Sequence, residues 1–365
     1  MIMLQNLGTG RNNNNRANHI KSMITEQYKD CVYFSSLFMK DYPDEYRQIR
    51  EILKQNKVGC KALRHTKDYW CRDYMPVQQQ YNNFVQFRYD PDYLKNDSRF
   101  KTDTTSVLNS LHFKPVYEPL PLIMDGGNVV ACETGIKTAT KTYADDNEVA
   151  IIMTEKIFSE NPHFSHEEIL NMLHNAFKET EIILLPWDQE DVCGHTDGLI
   201  HNVGYGKVLV NLELYPPQIA SEMRRILNTT FEVIDLKLSN YHEYSWAYIN
   251  MLQTRDVIIV PEIGLPQDME ALEQIKNLHP DYEDRIYQVN LAPVIKKWNG
   301  ALNCLTWTIS TEMSKLYHSK ELDNRFKNII ENKNIYSLSD DDIKFAGDYN
   351  PTRLPCDLEK LYWGF

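Results

Sequence analysis

No stretch of the chain approaches the ~18 consecutive apolar residues that a membrane-spanning helix needs, so a membrane partner is not expected. Cysteine occurs seven times, as Cys31, Cys60, Cys71, Cys132, Cys193, Cys304 and Cys356, yet no two form a C-x-x-C pair. The odd number and the scatter argue against a disulfide framework and make a reducing cytoplasm the expected compartment. Cys193 and His195 form a C-x-H pair, but no second pair has zinc-like spacing, so no metal is expected. Basic residues are in deficit, 39 Lys and Arg against 51 Asp and Glu, for a net charge of −12. Nucleic acid and anionic membranes are bound by clustered cations, so this balance disfavours both and leans toward a cationic small molecule. The opening MIMLQNLGTGRNNNNRANHIK has no apolar run of signal-peptide length. Its first 20 or so residues read as a loose or strand-like lead-in.

What is present is apolar and aromatic. Of 365 residues 42% are hydrophobic, with 22 Tyr and 13 Phe, enough for a large core. The spacing predicts helices over 43–56, over HEEILNMLHNAFKET with Ser165 as N-cap, over PPQIASEMRRILNTTF and over DMEALEQIKNLHP. Strands are predicted at VGCKALRHT, FVQFRYD, on either side of the Gly-Gly turn in LIMDGGNVVAC, at 149–154, EIILLPW, KVLVNLEL, DVIIVPEIG, RIYQVNL and ALNCLTWTIS. About five strand-helix modules follow one another without a long linker, which implies one compact α/β domain. The pattern fits a barrel, a doubly wound sheet or a radial, propeller-like array. After Ser314 the chain changes character: SKELDNRFKNIIENKN is charged and helical, and LEKLYWGF is an aromatic tail.

Four segments hold titratable residues that ordinary packing does not ask for. They are TKDYWCRDYMP (66–76), MDGGN (124–128), GHTDG (194–198) and NGALNCLTW (299–307). In the third, His195 and Asp197 stand two apart between glycines. An extended run would turn both toward one cavity. Together the segments offer a nucleophile in Cys304, an acid/base in His195, and carboxylates in Asp73, Asp125 and Asp197. Carboxylates beside a thiol raise its pKa, a poor arrangement unless the substrate is cationic. A guanidinium presents five N–H donors in a planar fork that paired carboxylates match. The set therefore points to attack on a guanidino carbon.

In order and spacing the four segments resemble the motifs of the agmatine deiminase and Porphyromonas-type peptidylarginine deiminase family, over roughly residues 60–310. The resemblance implies an α/β five-bladed, pseudo-fivefold propeller, the pentein fold, as a single domain over 1–315. A helical C-terminal extension, 316–365, would pack on it. It also implies roles: Asp73 and Asp197 grip the guanidinium, His195 protonates departing ammonia and then activates water, and Cys304 attacks. No cofactor is implied. Asp125, Trp70 and Asp68 are the further candidates for substrate contact. Asp125 and Asp68 read equally as turn formers and Trp70 as a core ring or a pocket wall. Arg72 reads as a structural ion-pair partner, Cys71, Cys132 and Cys193 as packing residues, and His65, His201 and His242 as background.

The chain departs from the family where Asp125 stands in place of a common Glu, and where Trp298-Asn299-Gly300 replaces a glycine run before the cysteine. The expected activity is deimination of agmatine to N-carbamoylputrescine and ammonia. Peptidylarginine deimination, amidinotransfer and non-catalytic binding of a cationic ligand are the alternatives. The expected partner is a small guanidino substrate, with self-association left open.

Overall fold

The computed structural model describes residues 23–311, apart from 81, 112, 114, 136–148 and 179. The lead-in of the first 20 residues and the extension 316–365 lie outside the described residues.

The strands form five separate three-stranded sheets, not one open sheet. Strand β1 (Cys31–Ser35) runs parallel to β2 (Gly59–Leu63). In the next sheet β3 (Val77–Gln80) pairs antiparallel with β4 (Asn83–Arg88), and β4 parallel with β5 (Val116–Ile123). The same order recurs in β6 (Val130–Glu133), β7 (Val149–Thr154) and β8 (Glu181–Leu185). It recurs again in β9 (Ile200–Gly204), β10 (Lys207–Val210) and β11 (Glu232–Asp235). A further copy is β12 (Leu252–Gln253), β13 (Ile258–Glu262) and β14 (Ile286–Asn290). Strand β15 (Thr306–Ile309) then lies antiparallel to β1 and completes the first sheet. The two ends of the described chain thus share one unit.

Each unit follows from one constraint. Antiparallel neighbours can be joined by a short turn, whereas a parallel pair needs a crossover, usually helical. Helices at Pro43–Gln55, Thr104–Asn109, His166–Ala176, Pro217–Leu227 and Asp268–Leu278 lie between the two parallel strands of the five sheets. The 43–55 helix begins at Pro43 with Asp44 and Glu45 in its first turn, where a fixed φ and negative charge both help. Ile49 and Leu53, one turn apart, are fully buried against the core, each contributing roughly 1.5–3 kcal/mol. Ser165 and Glu168 form a reciprocal capping box at the 166–176 helix. Two extensive apolar clusters and a smaller third fill the interior. No described helix is long and apolar enough to cross a membrane.

The GHTDG segment corrects one expectation. It is not extended: His195 is the last β-type residue (φ −82°, ψ 131°) before a 3-10 turn, Thr196–Gly198, and the strand starts only at Ile200. Gly194, at φ +60°, redirects the chain ahead of it, in a conformation that favours glycine. Cys304 likewise precedes strand β15 instead of lying within it.

Candidate active site

The sequence segments converge on one cavity of about 690 Å³, within the size range of small-molecule sites. Each catalytic candidate comes from a turn beside a strand or helix end. Asp73 sits in the short helix Cys71–Tyr74, Asp125 immediately precedes the 3-10 turn Gly126–Asn128, and His195 immediately precedes the turn that holds Asp197. These turns are tied together by Asn128, the last letter of DGGN. Its Oδ1 accepts from the Thr154 backbone N–H (2.8 Å), the Thr154 hydroxyl (3.1 Å) and the Thr196 hydroxyl (2.8 Å). The Thr154 hydroxyl has a single proton, which it shares between that oxygen and the nearer Gly194 carbonyl at 2.6 Å. These buried, mutually satisfied bonds fix where His195 stands.

The imidazole lies between two carboxylates. Nε2 is 2.8 Å from Asp125 Oδ2, which also accepts the Tyr93 hydroxyl at 2.8 Å. Nδ1 faces Asp73 Oδ1 at 3.6 Å, too long for a hydrogen bond. Burial opposes the charged ring, but Asp73 and Asp125 outweigh it and hold the imidazolium well above the ordinary histidine range. Asp73 is pushed up to about 7 by burial and by Asp125 and Asp197, with His195 pulling the other way.

Asp197 meets the nucleophile candidate. Cys304 Sγ lies 3.8 Å from Asp197 Oδ2, and Asn303 Nδ2 donates to that same oxygen at 2.7 Å. Burial and then the charges of Asp197 and Asp73 push the Cys304 thiol well above the usual range.

Asp68, Trp70, Asp73, His195, Asp197 and Cys304 all line the cavity. Asp125, expected to contact substrate, is not among the lining residues and holds the imidazole instead. The reach is short because Asp carries one methylene, and the bond to Nε2 uses it. Asp68 both lines the cavity and accepts from the Trp70 backbone N–H at 3.2 Å, the turn-capping role its sequence also suggested. Trp70 packs under Gly300, where a Cβ would come within 2.2 Å of the indole ring. Trp298 and Asn299 form part of the wall. Cys71 and Cys132 are packed in the interior, whereas Cys193 reaches the cavity. Arg72 pairs with Glu26 at 3.1 Å.

Tyr89, Tyr93, Asn128, Asn250 and Asn303 do not announce themselves in the sequence. Asn128 and Asn303 at least lie inside the quoted segments. The tyrosines and Asn250 carry no local signal.

Seven carboxylates line the cavity (Asp68, Asp73, Asp188, Glu190, Asp191, Asp197 and Glu243), and no Lys or Arg does among the described residues. Aromatic rings, among them Trp70, Tyr93, Tyr244, Trp246 and Trp298, supply much of the remaining wall. Acidic oxygens with aromatic faces suit a flat cation. No group of three or more His, Cys, Asp or Glu among the described residues is placed to hold a metal ion.

The family model described as Porphyromonas-type peptidyl-arginine deiminase matches residues 10–309. Among solved structures, C. jejuni agmatine deiminase is similar at 17% identity and a TM-score of 0.60, covering 78% of this chain and 95% of that one. The agmatine deiminase of Enterococcus faecalis is similar at 16% identity and a TM-score of 0.56, covering 79% and 96%. At such identities the likeness is one of fold, the α/β pentein fold. No curated protein sequence matches.

Proposed function

Since the chain belongs to the Porphyromonas-type peptidyl-arginine deiminase family, enzymes that act on guanidino groups, we propose that it hydrolyses agmatine to N-carbamoylputrescine and ammonia. The observation that carries this is the charge of the cavity. Cys304 and His195 share it with seven carboxylates and no Lys or Arg among the described residues. Free arginine would bring an α-carboxylate into that field, where no Lys or Arg lines the wall among the described residues to meet it. Agmatine brings a cation at each end.

The proposed steps are these. Asp73 and Asp197 receive the guanidinium. Its positive charge offsets the two carboxylates that hold the Cys304 proton on, so the thiol ionises as substrate binds and its proton leaves by way of Asp197 to solvent. The thiolate attacks the guanidino carbon and forms a C–S bond. The tetrahedral adduct then breaks a C–N bond, with the His195 imidazolium donating the proton, and ammonia departs. An S-alkylthiouronium remains on Cys304. His195, now neutral, takes a proton from water as the oxygen adds to that carbon. The C–S bond breaks as the added hydroxyl gives up its proton, which passes by way of Asp197 to the departing thiolate, so that the ureido product leaves and the Cys304 thiol is restored, while the proton first lost to solvent makes ammonium of the ammonia. The sum is guanidinium plus water giving ureido compound plus ammonium, and it needs no cofactor.

The five repeated units are taken as blades about a pseudo-fivefold axis. Residues 1–315 are taken as one domain with 316–365 packed on it, and the compartment as cytoplasmic. The sheets and their shared first and last unit support the blade arrangement.

Ammonia release and ureido-product formation, measured side by side with agmatine, free arginine and an arginine-containing peptide, test the function. Turnover of agmatine with little of the other two is expected. Turnover of the peptide alone moves the function to protein modification, and no turnover of any of the three contradicts the proposed activity.

A further inference from the structure

Asn303, immediately before the nucleophile candidate, sits between a cation and a carboxylate. Arg72 Nη2 donates to Asn303 Oδ1 at 2.8 Å, while Asn303 Nδ2 donates to Asp197 Oδ2 at 2.7 Å. The amide has only one orientation that satisfies both neighbours. A guanidinium can only donate and a carboxylate can only accept, so a flipped amide would lose both bonds. Arg72 is itself held: Nη1 donates to Glu26 at 3.1 Å and Nη2 also to the Thr308 hydroxyl at 3.1 Å. Its backbone N–H meets the Cys304 carbonyl at 3.2 Å.

The oxygen that Asn303 holds is the one that Cys304 Sγ faces at 3.8 Å. The backbones around it are fixed separately by Asn250, which is fully buried. Its Oδ1 accepts from the Cys304 N–H at 3.1 Å and its Nδ2 donates to the Asp197 carbonyl at 3.2 Å. Asn250 therefore sets the two segments, and the Asn303 side chain acts on the carboxylate itself.

We propose that Asn303 is a positioning residue for the reaction: it holds Asp197 Oδ2 toward Cys304, leaves the other oxygen for the guanidinium, and is kept in that orientation by Arg72. This rests on the deiminase reading above. The N–H of Asn303 takes up part of the charge that Oδ2 presents to sulfur. Without it Asp197 turns more freely, presents its full charge to the thiol and loses its alignment for substrate. Asp197 and Asp73 are the charged groups that face Cys304. The Arg72 guanidinium meets the Asn303 amide, which in turn meets Asp197.

The test reads Cys304 directly and needs no substrate. Iodoacetamide alkylation is followed against pH by quantifying the Cys304 peptide by mass spectrometry, in wild type, Asn303→Ala, Arg72→Lys and the double variant. Thermal unfolding serves as the check on folding. A lysine keeps the charge but lacks the planar fork that spans Asn303, Thr308 and Glu26. The expected result is an alkylation midpoint at least one pH unit higher in Asn303→Ala and a smaller rise in Arg72→Lys. The double variant should rise no further than Asn303→Ala, because the two residues act in series. With agmatine as substrate, kcat should fall at least tenfold in Asn303→Ala. An Asn303→Ala profile that coincides with wild type overturns the proposal whatever the turnover. An additive double variant overturns the part assigned to Arg72. Should Asn303→Ala fail to fold, an unshifted Arg72→Lys profile overturns it. A wild-type protein that alkylates as expected but turns over no guanidine refutes the deiminase reading and leaves the held carboxylate standing.

Discussion

His195 Nε2 lies 2.8 Å from Asp125 Oδ2, while the other ring nitrogen, Nδ1, faces Asp73. This bond fixes the plane of the imidazole and keeps it charged. In Asp125→Asn the imidazolium loses a stabilising anion, so its pKa falls, and the proton donor is lost at lower pH. The alkaline limb of the kcat–pH profile should move to lower pH, and kcat should fall roughly 10²-fold, the lower end of what general acid catalysis supplies. Steady-state kinetics from pH 6 to 10 check both. An unmoved alkaline limb would mean that Asp125 does not set the His195 proton.

The two glycines after Asp125 are required by close approach. A Cβ on Gly127 would lie 2.7 Å from both Asp73 Oδ1 and His195 Nδ1. Gly127→Ala should therefore separate the acid/base from the guanidinium anchor and lower kcat/KM on the order of 10²-fold. A Cβ on Gly126 would lie 2.0 Å from the Arg72 backbone carbonyl, which cannot swing aside as a side chain can. Gly126→Ala should destabilise by about 1–3 kcal/mol, read by urea unfolding. Retained wild-type activity in Gly127→Ala would show that the two turns can part without consequence.

A pair of buried histidines outside the cavity makes stability depend on pH. His201 and His279 stand with ring centroids 5.8 Å apart, and neither Nε2 has a hydrogen-bond partner among the described residues. Burial pushes His201 down to about 4 and His279 down to about 3, the latter also lowered by His201. The unfolded chain takes up these protons near pH 6.5, before the folded one does. Their neutral forms thus contribute stability that is full above pH 6.5 and is lost as pH falls toward 4 and 3. Each proton accounts for up to ~1.4 kcal/mol per pH unit. Asp30, raised to about 6 by burial, has the opposite sign, so the comparison must be made between proteins. His201→Gln/His279→Gln should lose less stability than wild type between pH 6.5 and 4.5 in urea titrations. Parallel stability–pH curves would contradict the assignment.

Much of this could be read from the letters. The capped helix after Ser165 and the buried strand at 149–154 are local signals, and the structure places both as the sequence does. The four segments name most of the cavity floor because nucleophile, acid/base and carboxylates are chemically conspicuous. Other features depend on partners distant in the chain. The alternation in VCGHTDGLIH reads as a strand, yet Gly194 adopts a positive φ and the bonds of Thr154 and Thr196 to Asn128 wind the segment into a 3-10 turn. Asp125 reads as a substrate contact until the 2.8 Å bond shows that it holds the histidine. Asn250 has no local pattern at all, since its partners are Cys304 and Asp197, more than fifty residues away in either direction. Strand β1 is five residues long and passes directly into a helix at Ser36, so no turn signal marks its end.

The central claim is that Cys304 forms and breaks the bond to the guanidino carbon. Agmatine binding and ammonia release should be measured together in wild type and in Cys304→Ser, with the wild-type protein acid-quenched during turnover and its Cys304 peptide weighed. The account predicts that Cys304→Ser binds agmatine within a fewfold of wild type and releases ammonia only at background. It also predicts that the quenched wild-type peptide carries the mass of the thiouronium adduct. Ammonia release by Cys304→Ser at a rate near that of wild type would contradict it.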